Sequence, residues 1–249
     1  GRFHAEGIIM HNVMDKNVYI VISRTQSFIG KSLRFFSNCE YNHVSISLNR
    51  QLSEMYSFGR LSVGNPLVGG MVHENPFYFS LGLYRDIRVK IYRMPVSREQ
   101  YRAIEVFIDS IYRDCENYYY NLLGPFGILL KKRLKLYKTY ICSEFVADTL
   151  NNAGIQLTST PSYLLSPGDM DMMLEPFLFY SGDIFDYPYL MLESSDMSCL
   201  DQKFYFTRNG FTYELVRSSN HLKNLFGRHY RYTLNILGHR IRDKITAGL

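Results

Sequence analysis

Residues 140–154 read YICSEFVADTLNNAG. The apolar residues Phe145, Val146 and Leu150 recur at helical spacing between Cys142 and Asn152, and Gly154 supplies a stop. The stretch predicts a helix over 142–152 opened by a cysteine. A helix N-terminus favours a thiolate over a thiol, and its free backbone N–H groups suit a developing oxyanion. Cys142 is therefore the candidate nucleophile.

Working outward, the base that such a thiol needs is found near the other end of the chain. His43 to Leu48 (HVSISL) alternates as a strand, with Val44, Ile46 and Leu48 on one side and His43, Ser45 and Ser47 on the other. His43 thus stands on a small polar face with room beside it. His4, His11 and His73 lack this setting, and His221, His229 and His239 fall in a basic tail. A third group is expected to orient the imidazole and fix its tautomer. If the turn at Asn49-Arg50 has an even number of residues, Glu54 shares the face of His43; an odd turn puts Ser57 there instead. Odd three-residue turns favour Gly, and none is present, so Glu54 is the expected third residue and Ser57 the fallback.

The rest of the chain extends an α+β pattern. Val18–Ser23 (VYIVIS) is a buried strand by composition, Gln26–Phe36 has helical spacing, and Leu52–Phe58 reads as the return strand of the hairpin. A Gly- and Pro-containing loop is expected from Gly59 to Gly70, and a further strand over Ile87–Arg93. Ser97 with Gln100 forms a capping-box pair ahead of a helix whose stripe is Tyr101, Ile104, Phe107, Ile108 and Ile111. Leu123–Lys138 reads as a connection carrying Lys131, Lys132, Arg133, Lys135 and Lys138. Beyond about Glu175 the period is lost. Asn209-Gly210 signals a hairpin within Phe204–Val216, and His221–Ile245 is a candidate basic amphipathic helix.

Two motifs resemble those of a known family. Asn42-His43-Val44-Ser45-Ile46 resembles the His motif, and Tyr140-Ile141-Cys142-Ser143-Glu144-Phe145-Val146 the Cys motif, of the circularly permuted papain-like NlpC-type superfamily. That superfamily includes the YiiX-like proteins and the lecithin retinol acyltransferase-like enzymes. The order, His before Cys, is the permuted one. Val18–Arg24, Asn117–Gly124 (NYYYNLLG), Ala153-Gly154-Ile155 and Leu165-Ser166-Pro167-Gly168-Asp169 resemble its neighbouring segments, so the likeness covers about 17–172. It implies an antiparallel sheet packed against the helix that carries Cys142, with 173–249 as a C-terminal extension ending in the basic helix. It also implies a peptidase or amidase working through an acyl-thioester, with a further oxyanion donor from a Tyr or a polar side chain near Ser23-Arg24. Two alternatives stay open: a lipid-acting acyltransferase or lipase on the same fold, and a non-catalytic interaction module.

Composition bounds the rest. The 249 residues are 46% hydrophobic and 20% charged, which excludes a disordered chain and a small disulfide scaffold. No apolar run reaches the roughly 18 residues of a membrane span. The N-terminal residues lack the order of a signal peptide. The cysteines Cys39, Cys115, Cys142 and Cys199 are scattered, so free thiols in a reducing, cytoplasmic setting are expected, with neither metal nor cofactor. There is no GxxxxGK[ST], HExxH or GxGxxG. Net charge is +5, unevenly spread: 161–202 holds eight acids and no Lys or Arg, and 215–249 holds seven basic residues and one acid. The expected partners are an amide, ester or peptide substrate and an anionic membrane reached through 221–245 and 131–138; no nucleic acid is expected.

Overall fold

The computed structural model describes residues 16–24, 40–61, 68–74, 87–132, 134 and 136–191. Its centre is a six-stranded antiparallel sheet in the order β4-β3-β2-β1-β5-β8. The strands are β1 (Lys16–Ser23), β2 (His43–Ser47), β3 (Met55–Arg60), β4 (Gly69–Glu74), β5 (Arg88–Val96) and β8 (Leu178–Asp183). A short parallel pair, β6 (Tyr119–Tyr120) and β7 (Thr139–Tyr140), forms a second sheet whose β6 lies against β3 and β4. The helices are α1 (Arg98–Arg113), α2 (Gly124–Leu130), α3 (Cys142–Asn152) and α4 (Pro167–Leu174). The class is thus α+β with an antiparallel sheet, as the sequence pattern implies.

The alternation of β2 decides which side of the sheet is which. Val44 and Ile46 are fully buried with Ile20, Ile22, Phe58 and Tyr92, in a core shared with Ile104 and Ile108 of α1 and Phe145, Val146 and Leu150 of α3. Ser97 accepts from the Gln100 N–H and the Gln100 side chain reaches back to the Ser97 N–H, so the capping box forms as read. Gly154, at φ 74°, follows the end of α3 in the left-handed region that glycine adopts without strain.

The other side of the sheet holds a second core of Tyr19, Val21, Leu52, Met55, Val89 and Ile91. Residues after Glu175 cover it. Ile184 and Tyr187 are buried there, and Phe179, Phe185 and Leu190 pack against it. The Arg50 guanidinium lies 3.2 Å from the Tyr189 ring centroid, and Tyr187 Oη donates to the Arg50 carbonyl. The described part of the 173–249 extension therefore supplies an edge strand, β8, and a cover for the sheet. The expected hairpin at 204–216, the helices at 26–36 and 221–245, and the basic tail lie outside the described residues.

Several expectations need correction. Leu52–Phe58 is not one strand: β3 begins at Met55, and 48–54 forms the connection. The stretch read as a loop to Gly70 ends in strand β4, which pairs along the whole of β3. The stretch read as a connection from Leu123 contains α2. Cys115 is disulfide-bonded, so free thiols do not hold throughout; Cys142 is free. Among the acids of 161–202, Asp171 pairs with Lys90 at 2.9 Å and Asp169 caps its own helix through Ser166. These acids thus serve bonds within the fold. Among the described residues, no helix is long and apolar enough to cross a membrane.

Candidate active site

Cys142 is the first residue of α3, and the N-cap, Ile141, offers no side chain to the first turn. The orphan N–H groups of that turn are therefore left to the cysteine and to whatever approaches it. Cys142 is 5% exposed. Burial of Phe145, Val146 and Leu150 in the main core fixes the helix behind it.

His43 opens β2 opposite Ser23 of β1. Its imidazole hydrogen-bonds the Cys142 thiol, so the two residues singled out 99 positions apart in sequence meet in the fold. Its Nε2 lies 2.5 Å from Glu74 Oε1. The other oxygen of Glu74 accepts from Ser45 Oγ at 2.5 Å. His43, Glu74 and Ser45 thus form a chain in which the carboxylate is fixed at both oxygens and holds the ring through Nε2. His43 Cε1 lies near Gly59, where an added Cβ would meet it at 3.9 Å.

Electrostatics follow from this packing. Burial pushes the His43 imidazole down, but the Glu74 carboxylate beside it and the hydrogen bonds with Cys142 and Glu74 outweigh burial and hold it well above the ordinary value of 6.5. The protonated ring, with two N–H donors, is the form this site favours.

The third residue is neither of those read from the hairpin. Ile46 pairs with Tyr56 and Ser47 with Met55, so the connection has odd parity. Leu52 takes the left-handed position at φ 59° that was expected to need glycine, and its buried side chain anchors the turn in the second core. Asn49 braces the turn further by accepting from the Ser53 N–H and donating to its hydroxyl. Glu54 is consequently exposed and off the face of His43. Ser57 is on that face but donates its hydroxyl to the Val44 carbonyl at 2.7 Å. The carboxylate beside His43 comes instead from β4 (GGMVHE), one strand further out, whose first two residues were read as the end of a loop and whose last four were assigned to no element. Residues 71–74 (MVHE) carry no period-two alternation that would have marked the strand; within it Glu74 lies on the opposite side from His73, whose Nε2 faces the Ser53 carbonyl.

Ser23 completes the immediate surroundings. It is fully buried beside His43 in the β1–β2 register, and its Oγ has no hydrogen-bond partner among the described residues. A buried hydroxyl left unpaired is costly and calls for an explanation. Among the described residues no cluster of His, Cys, Asp and Glu is arranged to hold a metal ion.

No protein-family model matches this chain, and no curated protein or solved structure matches it.

Proposed function

We propose that the chain is a cysteine-dependent hydrolase of amide or ester bonds, with Cys142 as nucleophile, His43 as base and acid, and Glu74 as the residue that orients His43. The observation that carries this reading is the placement of one imidazole between a thiol at a helix N-terminus and a buried carboxylate. The His-before-Cys order and the motifs around both residues favour a permuted papain-like arrangement.

His43 takes the proton from Cys142, or the two rest as an ion pair, and the sulfur attacks the carbonyl carbon. The oxyanion faces the N–H groups of the first turn of α3. The tetrahedral adduct collapses, the leaving amine or alcohol takes the proton from His43, and a thioester remains on Cys142. Neutral His43 then deprotonates water, which attacks the thioester. The acid departs and the sulfur leaves as thiolate beside the restored imidazolium.

Ser23 is the candidate for the second oxyanion donor, since its hydroxyl is buried, has no partner among the described residues and lies on the strand position opposite His43. Ser23→Ala is expected to lower kcat by about 10²-fold with little change in KM. Its Tm should be unchanged or slightly raised, because the substitution removes an unsatisfied polar group. An unchanged kcat would remove Ser23 from the site.

The function itself is tested with p-nitrophenyl acetate and mass spectrometry of the quenched protein. A burst of nitrophenol with one acetyl group mapped to Cys142, absent in Cys142→Ser, is the expected result. Acetylation scattered over lysines without a burst would overturn it.

A further inference from the structure

Helix α2 is built inside out. An amphipathic helix ordinarily turns its large apolar residues to the core. Here Ile128 alone of its large side chains packs against the core, and glycines make the close approaches. A Cβ on Gly124 would come within 2.4 Å of Ile141 Cγ2, and one on Gly127 within 2.8 Å of the Lys132 carbonyl. The other large side chains point away: Phe126, Leu129 and Leu130 are 59%, 57% and 59% exposed, with Leu123 and Tyr137 exposed alongside. Single exposed apolar residues are ordinary, but an apolar face opposite a glycine face on one short helix is a contiguous patch that water disfavours.

The charge around the patch is equally one-sided. Lys131 closes α2 in a left-handed C-cap and Lys132 follows it, both exposed. From Asn117 to Ser143 there is no Asp or Glu, while Lys131, Lys132, Arg133, Lys135 and Lys138 all fall in this stretch. Of these, Lys138 is committed to Asp114. Apolar side chains followed at once by lysines are the pattern of an element that sinks into the acyl boundary while its cations meet anionic headgroups.

We propose that α2 and the basic residues that follow it are a docking surface for an anionic lipid bilayer. The positive charge of exposed Lys131 and Lys132, in a stretch with no Asp or Glu, selects an anionic surface, and the outward apolar face needs a partner that accepts side chains without a matching groove. Gly124 packs against Ile141, the N-cap of α3, so docking brings the bilayer surface to the helix that begins with Cys142. The surface stands on its own, whether or not Cys142 is a nucleophile.

The experiment is flotation of the full chain with extruded vesicles of phosphatidylcholine containing about a third phosphatidylglycerol, against phosphatidylcholine alone. Two variants accompany it, F126S/L129S/L130S and K131E/K132E, with circular dichroism confirming that each is folded. Their substituted side chains are exposed, so the fold should survive. The wild-type chain is expected to float with the anionic vesicles and to dissociate as salt is raised, and each variant to bind at least about tenfold more weakly. Absence of binding to anionic vesicles overturns the proposal. So does binding that both variants retain, which would place the contact elsewhere in the chain. Vesicle-independent self-association that the serine variant abolishes would assign the patch to a second copy instead.

Discussion

His43→Ala should abolish turnover of an activated ester while leaving the fold in place, with kcat/KM falling by about 10⁴-fold or more. The size of the loss follows from shared duty. The same imidazole holds the thiolate, protonates the leaving group and activates water, so its removal costs as much as removal of the nucleophile. His43 and Cys142→Ala should therefore be strongly non-additive: the double variant should be no slower than either single one. Additive losses would mean that the two side chains act separately, despite their hydrogen bond.

The second large effect belongs to Glu74. Glu74→Gln preserves shape but removes the charge that opposes the burial penalty on His43. Turnover is expected to drop by about 10³-fold, since the ring loses both its orientation and its preference for the protonated form. Stability responds with a definite sign. The folded-state pKa of His43 is raised, so its protonation contributes stability that is fully present below the unfolded value of about 6.5 and is lost as pH rises through the folded value. In the Gln variant only burial and the thiol remain to act on the ring. The gap in unfolding free energy between wild type and variant should be widest below about pH 6.5 and narrow as pH rises through the folded value of His43. Glu74→Ala should cost more, about 3 kcal/mol, because buried His43 and Ser45 both lose a partner. A gap that does not vary with pH would show that Glu74 is not what raises His43.

Cys142 and His43 were legible because each sits in a segment with a strong period: 3.6 residues in α3 and two in β2. The capping box at Ser97 was legible because it is wholly local. Glu74 was not legible, for two physical reasons. Its strand opens with Gly69-Gly70, which weakens strand propensity. There the backbone needs the missing side chain, since a Cβ on Gly69 would come within 2.7 Å of Tyr120 Cβ. The hairpin parity argument also depended on a left-handed residue, and Leu52 filled that position because burial of its side chain offsets the local strain. Helix α2 escaped notice because Pro125 and two glycines read as a loop, although close approach to Ile141 at Gly124 and to the Lys132 carbonyl at Gly127 is what those glycines permit. Strand β8 shows no clean alternation because it is an edge strand, half-covered on both sides.

The central claim is that His43 holds Cys142 ready to react. It is tested most directly by the rate of iodoacetamide alkylation, mapped to Cys142 by mass spectrometry, across about pH 5 to 10 in wild type and His43→Ala. The thiolate is the reacting form, and free cysteine ionises near pH 8.5. Wild-type Cys142 should react readily at pH 6, where His43→Ala should be at least about tenfold slower, and the two should converge at alkaline pH. Identical profiles for the two proteins, with Cys142 inert until the free-thiol range, would contradict the account.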